Sequence, residues 1–170
     1  MVQGTAAGPC HDLGKICVPL HILKKSDPLT SEERDILEHH AAAGFVLLCF
    51  HLKDKDNLAA RVALNHHERR DSSGYPGGIK LIDRLVDIVA VCDIYDALVS
   101  PRPYRPLSYD NRTALEEITL LAEKGKISWE GVKALISHNR RKKPRYSQVA
   151  VSIEKRGTPP PESVYGVISA

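Results

Sequence analysis

The sequence predicts a mainly α-helical protein organised as a helical bundle, with a small β-hairpin tail as an option at its C-terminal end. Five segments have helical patterns, clusters of turn-forming residues separate them, and only residues 148 to 154 alternate in the manner of a strand. The 170 residues are 42% hydrophobic and 26% charged, which fits one globular domain with a core of ordinary size. A formal net charge of +3 is far from the balance of a protein that binds duplex nucleic acid.

The first predicted helix runs from about residue 31 to about residue 51. The stretch 27–30, with the sequence DPLT, breaks the chain before it. Thr30 followed by Glu33 has the T-x-x-E pattern of a capping box, which marks a helix start. A second helix is predicted over residues 58 to 66.

The next two segments are a loop and an apolar stretch. Residues 71 to 78, with the sequence DSSGYPGG, concentrate turn formers and predict a structured loop of the kind that often belongs to a site. Residues 85 to 99 are apolar nearly all round, which predicts a fully buried helix, although their Val and Ile content leaves a central strand open. Three aspartates interrupt this stretch, and it is too short to span a bilayer.

The four cysteines form no C-x-x-C pair, so free thiols in a reducing cytosol are expected. Cys49 and Cys92 lie in apolar runs and are predicted to be small core residues. The protein is therefore expected to be cytoplasmic.

Two more helices are predicted over residues 113 to 124 and 129 to 138. The basic run 140–145 follows, and we interpret it as a solvated face rather than a nucleotide or protein contact. Residues 148 to 154 are predicted as a strand and 158 to 161 as a stiff turn. Residues 10–138 would form the helical core, and 139–170 the basic segment and tail.

One histidine of the first helix is predicted to face the core. A helix turns by roughly 100° per residue, which places His40 near the centre of the apolar stripe and His39 about 110° away from it. A buried imidazole needs a partner for each ring nitrogen, and a metal ion with a hydrogen-bond acceptor behind it would supply both. A hydrogen-bonded core histidine is the alternative.

Further polar residues in apolar settings could complete a metal site. They are His11, Asp12, His66, His67 and Asp93. A lone ionised carboxylate in the apolar run around Asp93 would cost several kcal/mol, so this group should be paired or bind a cation. Imidazole and carboxylate ligands suit iron, manganese, cobalt or zinc. From residue chemistry alone, two interpretations stay open: a two-metal site, or core residues that are each paired within the protein.

Four motifs connect these residues to a known family. Residues 11–15 have the sequence HDLGK, residues 29–33 LTSEE, residues 66–76 HHERRDSSGYP, and residues 93–105 contain DIYDAL and RPYR. In this order they resemble the motifs of the HD-GYP subgroup of HD-superfamily phosphohydrolases. The resemblance implies an HD-type helical bundle that hydrolyses cyclic di-GMP to pGpG, and then optionally to GMP, by attack of metal-bound hydroxide.

The resemblance also implies which residues hold the metal ions. Asp12 would bridge two divalent ions, iron or manganese. His11 and Asp93 would bind one ion, and the other would be bound by His40, His66 and His67. Asp96 would support a ligand from behind.

The substrate contacts implied by the resemblance involve three basic residues. Lys15 would lie near the scissile phosphate, and Arg102 and Arg105 would hold a phosphate with their guanidinium forks. A solvated surface pair is the alternative for the two arginines. Asp71, Gly74, Tyr75 and Pro76 would form a loop beside the site. This loop could also contact a GGDEF-type cyclase domain, and a plain tight turn is the alternative.

The sequence departs from the family pattern at three places. Family members carry a further metal ligand on a helix upstream of the His-Asp pair, and only ten residues precede His11 here, so water, a partner in a homodimer or an omitted segment would have to replace it. Ser72 stands where the family has glycine, and a Cβ disfavours positive φ, so the loop is expected to rearrange. The stretch 79–83 is short and lacks the usual Ile-Pro. A catalytically impaired module that senses cyclic di-GMP or docks to a cyclase, or a hydrolase of another nucleotide, therefore stays open.

Overall fold

The computed structural model describes residues 7–102, 105 and 107–160 and consists of helices joined by loops. Seven α-helices have both ends in this part of the chain: α1 (Leu20–Leu23), α2 (Ser31–Glu38), α3 (His40–Leu52), α4 (Leu58–Asn65), α5 (Arg84–Val99), α6 (Asn111–Glu123) and α7 (Trp129–Asn139). Residues 7–10 are also helical, and Leu13–Cys17 and Tyr146–Gln148 form 3₁₀ helices. Between described residues only isolated β-bridges occur, so the mainly α fold class is confirmed.

The single helix predicted from residue 31 to residue 51 is two helices in the structure. Its start is as predicted, because Thr30 accepts a hydrogen bond from the Glu33 backbone at 3.2 Å and the Glu33 side chain accepts one from the Thr30 backbone at 2.8 Å. At His39 the ψ angle is −17°, which departs from the helical value of about −42°. The regular helix is interrupted at this residue, so α2 ends at Glu38 and α3 begins at His40.

Helix α5 settles the ambiguity of the apolar stretch, because it is a helix and not a strand. The Asp83 side chain caps it by accepting the backbone N–H of Leu85 at 2.9 Å. The prediction of full burial is wrong: Leu85 is 49% exposed and Cys92 is also exposed. One side of α5 packs into the protein while the other lies at the surface, so Cys92 is not a core residue.

The core consists of two apolar clusters that both include residues of α5. The first cluster joins α3, α4 and the start of α5, with Leu48, Val62 and Val86 among its members. The second joins the rest of α5 to α6 and α7, with Ile94, Ile118 and Val132. Burial of such a side chain stabilises a fold by roughly 1.5–3 kcal/mol. The packing therefore fixes α5 between the N-terminal and C-terminal helices.

The tail does not form the predicted strand. Residues 149–160 have no regular secondary structure and cross the surface of α6. Within the predicted strand, the Ala150 carbonyl accepts a hydrogen bond from the Arg140 side chain at 2.9 Å. Beyond it, the Glu116 carboxylate accepts the backbone N–H groups of Gly157 at 2.9 Å and Arg156 at 3.1 Å and holds the tail on α6. The end of the predicted hairpin, residues 161–170, lies outside the described residues. The basic run 140–145 is largely exposed.

Within residues 7–102, 105 and 107–160, no helix combines the length and the apolar character needed to cross a membrane.

Candidate metal centre

Four separate segments bring the six predicted ligands together. His11 and Asp12 immediately precede the 3₁₀ helix Leu13–Cys17, and His40 is the first residue of α3. His66 and His67 directly follow α4, and Asp93 lies in the middle of α5. Their side chains form two sets of possible ligand atoms, each set within 4.8 Å: Asp12, His40, His66 and His67, and His11, His66 and Asp93.

Asp12 lies between the two sets. Its Oδ1 is 3.4 Å from Nε2 of His40 and 3.7 Å from Nε2 of His66. Its Oδ2 is 3.5 Å from Nε2 of His11, which is itself 3.5 Å from Oδ1 of Asp93. Oδ1 of Asp12 thus faces His40 and His66, which itself belongs to both sets, while Oδ2 faces His11, so the two oxygens contact different histidines as a bridging ligand would.

Backbone carbonyls determine the tautomer of three of the histidines. The Nδ1 atom of His11 contacts the carbonyl of Gly8, that of His40 the carbonyl of Leu37 at 2.6 Å, and that of His66 the carbonyl of Val62 at 3.0 Å. A carbonyl only accepts, so Nδ1 carries the proton and the lone pair of the neutral ring is on Nε2. Histidines that bind metals are held in this way.

Three buried polar atoms of the cluster have no hydrogen-bond partner among the described residues. They are Nε2 of His11, Oδ1 of Asp12 and Nε2 of His66. Each such atom costs about 1–3 kcal/mol when it is left unsatisfied. All three are nitrogen or carboxylate oxygen atoms that can give a lone pair to a metal, and they converge in one cluster. The residues therefore fit divalent transition metal ions.

The electrostatics of the cluster favour the ligand forms of Asp12 and His67. Burial alone would raise the pKa of Asp12, but His40, His66 and Lys15 together hold it well below its usual range. Burial, together with the neighbouring His66, lowers the pKa of His67. At neutral pH the carboxylate is therefore ionised and the His67 ring is neutral.

His11 and Asp93 form a coupled pair on the other side of the cluster. Interaction with Asp93 raises the pKa of His11 despite the opposing effect of burial. Burial would raise the pKa of Asp93, and its interaction with His11 lowers it overall. A metal ion that binds both groups would compete with protonation of His11.

Comparison with known proteins identifies the family. The model of the HD domain family matches residues 3–127. The chain belongs to the HD domain family. A cyclic di-GMP phosphodiesterase of Thermotoga maritima is 46% identical over 101 residues, which make up 58% of this chain and 27% of that protein. For a cyclic di-GMP phosphodiesterase of Pseudomonas aeruginosa the identity is 39% over 127 residues, 74% of this chain and 28% of that protein.

A third relative of the HD domain is named for a different dinucleotide. A 3'3'-cGAMP-specific phosphodiesterase of Vibrio cholerae is 34% identical over 122 residues, 71% of this chain and 23% of that protein. The chain thus spans about a quarter of the length of these relatives. Together with the family match, the relatives named for cyclic di-GMP show that the chain contains an HD domain of the HD-GYP type.

The three basic residues predicted to contact the substrate lie in two places of this HD domain. The Lys15 ammonium, one turn after Asp12, donates a hydrogen bond to Oδ2 of that residue. Arg102 lies 3.6 Å from the carboxylate of Asp96, which is exposed. Arg105 is buried and donates to the backbone carbonyls of Ala97, Leu98 and Ser100 at the end of α5. Among described residues, neither arginine nor Asp96 forms a hydrogen bond or ion pair with the six clustered side chains.

The loop 71–78 of the HD domain reaches the cluster through Tyr75. The Tyr75 ring stacks on that of His67, with 4.4 Å between centroids and 21° between planes. Gly74 lies on the backbone of residues 67–69, where a Cβ would come within 2.3 Å of the His67 carbonyl oxygen. Pro76 follows Tyr75, and Asp71 accepts hydrogen bonds from the backbone and hydroxyl of Ser73.

Ser72 corrects one expectation about this loop. It adopts the left-handed conformation with φ of 65°, and its backbone N–H donates to the Arg69 carbonyl at 3.1 Å. Ser72 therefore adopts the positive φ that glycine would favour, so its Cβ does not prevent this conformation.

The carbonyl partners of the histidines were not predicted from the sequence. Each carbonyl lies three or four residues before its histidine, on the preceding turn. A histidine that follows a helical turn has the carbonyl three or four residues before it within reach, and this spacing is a signal that could have indicated such a partner.

Proposed function

We propose that this HD domain is a metal-dependent phosphodiesterase that hydrolyses cyclic di-GMP to pGpG. The observation that carries the proposal is the convergence of two carboxylates and four imidazoles, with Asp12 between the two sets of ligand atoms. The names of the relatives at 46% and 39% identity support the choice of substrate.

The proposal assigns the two metal positions as follows. Asp12 would bridge the ions, His11 and Asp93 would hold one, and the other would be held by His40, His66 and His67. Iron or manganese suits this set of imidazole and carboxylate ligands. When bound, two such ions acidify a water molecule and stabilise the charge on the oxygens at phosphorus.

The remaining roles belong to side chains around the ligands. Lys15 stabilises the ionised form of Asp12 and offers a positive charge to a phosphate oxygen beside it. Arg102 has a guanidinium that is partly exposed, with 30% side-chain exposure, and is proposed to hold a second phosphate. The same role for Arg105 stays a prediction, because its Nη2 atom is occupied by the end of α5.

A second substrate is proposed for the same site because three of the relatives are named for 3'3'-cGAMP. The two dinucleotides differ in one base and share both phosphates, so the same metal ligands would serve either of them. Comparing the rates on both substrates at equal concentration decides between them. Docking to a GGDEF-type cyclase and formation of a homodimer stay predictions.

The test uses protein loaded with Mn²⁺ or Fe²⁺, incubated with cyclic di-GMP and analysed for pGpG and GMP by chromatography. We expect pGpG to accumulate, and we expect Asp12→Asn to lose both metal and turnover. Asp56→Asn is the matched control, because Asp56 is an exposed aspartate outside the cluster.

Two results would contradict the proposal. Binding of cyclic di-GMP without product after long incubation would support the sensing module instead. Unchanged metal content in Asp12→Asn would show that Asp12 is not the bridge.

A further inference from the structure

Glu68 is a buried carboxylate next to the metal cluster, and none of the roles described above involves it. Its side chain is 0% exposed, and it directly follows His67. One carboxylate oxygen accepts the backbone N–H of Gly77 at 2.6 Å, and the other accepts that of Ile79 at 3.0 Å. Glu68 thus holds the far end of the loop 71–78 against the segment that carries His67.

A carboxylate is the side chain that this position requires. Both N–H groups are donors, and an ionised carboxylate offers two acceptor oxygens and no donor. Hydrogen bonds to a charged acceptor are stronger than neutral ones, which suits two backbone donors that meet one buried side chain. Glutamine would offer one acceptor oxygen and present an N–H group to one of the two donors.

The loop is attached to the same segment at a second point. The backbone N–H of Tyr75 donates to the carbonyl of His67 at 3.4 Å, and Gly74 leaves no space for a Cβ against the same carbonyl. Together with Glu68, these contacts determine where the Tyr75 ring lies.

The position of Tyr75 matters because His67 is held differently from the other three histidines. The rings of His11, His40 and His66 are each oriented by a backbone carbonyl. For His67, no hydrogen bond to a carbonyl is found within the described residues, and its Nε2 lies 3.2 Å from Nε2 of His40. Besides the edge and tilted contacts with the rings of His40 and His66, the His67 ring is covered by the stacked ring of Tyr75.

We propose that Glu68 is a positioning residue that orients the His67 imidazole through the loop and the Tyr75 ring. This inference rests on the proposed function, in which His67 is a metal ligand. It predicts that the loop and the affinity for metal change together. Loss of a group that orients a ligand weakens metal binding by roughly 10- to 100-fold.

The test compares Mn²⁺ affinity, followed by electron paramagnetic resonance, in Glu68→Gln, Tyr75→Leu and Tyr75→Phe. We expect the first two variants to lose affinity by roughly 10- to 100-fold and Tyr75→Phe to retain it, because phenylalanine keeps the stacked ring. The amides of Gly77 and Ile79 should exchange with solvent roughly tenfold faster in Glu68→Gln. Glu130→Gln, a change of a surface glutamate, is the matched control and should behave like the unchanged protein.

A double variant separates positioning from general stability. Because Glu68 acts through Tyr75, the combination of Glu68→Gln and Tyr75→Leu should bind Mn²⁺ no more weakly than Tyr75→Leu alone. Faster exchange of the loop amides with unchanged Mn²⁺ affinity in Glu68→Gln would overturn the inference. If Glu68→Gln does not fold, equal affinities of Tyr75→Leu and Tyr75→Phe would overturn it.

His67→Ala tests the proposed function independently. If this variant binds Mn²⁺ as tightly as the unchanged protein, His67 is not a ligand and the metal assignment fails. If it loses affinity while Glu68→Gln does not, the metal assignment stands and the inference about Glu68 fails.

Discussion

Ser72 is one of the described non-glycine residues with a positive φ angle. A residue other than glycine costs roughly 1–2 kcal/mol in the left-handed region, and Ser72 has φ of 65° there. Ser72→Gly should therefore raise the free energy of unfolding by roughly 0.5–1 kcal/mol, part of the gain being offset by the flexibility of glycine in the unfolded chain. Urea denaturation followed by circular dichroism measures the change. Ser73→Gly is the matched control and should destabilise, because the Ser73 hydroxyl donates to Asp71 at 2.7 Å; a loss of stability in Ser72→Gly would contradict the prediction.

The histidines mark what can be predicted at the scale of single residues. Helical periodicity predicts that His40 faces inward and His39 outward, and in the structure His40 is 1% exposed while His39 is exposed. Periodicity cannot predict the partner of the second ring nitrogen, because that contact depends on the rotation of the ring and on the local turn. For the same reason, the stacking of Tyr75 on His67 could not be predicted from the motif that contains both residues.

Gly14 determines how two elements of the site pack together. A Cβ at Gly14 would lie 1.9 Å from the carbonyl oxygen of His40 and 2.4 Å from the backbone nitrogen of Gly44. Gly14→Ala must therefore push the 3₁₀ helix Leu13–Cys17 away from α3, destabilising the protein by roughly 1–3 kcal/mol and separating Asp12 from His40. We expect reduced Mn²⁺ affinity in calorimetric titration as well as a lower midpoint of thermal unfolding. Gly8→Ala is the matched control, since a Cβ there has no neighbour within 4 Å; equal behaviour of the two variants would show that this close approach is not required.

Elements were predicted well where local patterns decide their type. The capping box predicted the start of α2, and the long apolar stretch predicted a helix at α5 while leaving a strand open. The outer face of α5 was predicted wrongly, because an apolar residue such as Cys92 lies at the surface when no other element packs against it. The predicted strand over residues 148 to 154 failed because alternation indicates a strand only where a partner strand is available, and here the Ala150 carbonyl accepts a hydrogen bond from the Arg140 side chain.

At the scale of the whole molecule, the ligands and the tail lie on different parts of the fold. All six clustered side chains belong to residues 11–93, around the first apolar cluster and the middle of α5. The described tail contacts lie on α6 and α7, where Ser137 donates to the Pro144 carbonyl and Lys155 lies 3.0 Å from the Glu117 carboxylate. The separation suggests that metal binding does not depend on the tail.

A chain that ends at Asn139, the last residue of α7 and one residue beyond the predicted helical core 10–138, tests this division. The truncation removes the buried Val149 and the tail groups that donate hydrogen bonds to Glu116. It should therefore lower the free energy of unfolding by roughly 1–3 kcal/mol. The shortened chain should still unfold cooperatively and bind Mn²⁺ with unchanged stoichiometry, because every clustered side chain and both apolar clusters precede the cut. Thermal unfolding and elemental analysis measure the two quantities. Loss of metal from a shortened chain that keeps its helical circular dichroism would show that the tail supports the site, and the molecule would then have to be treated as one unit.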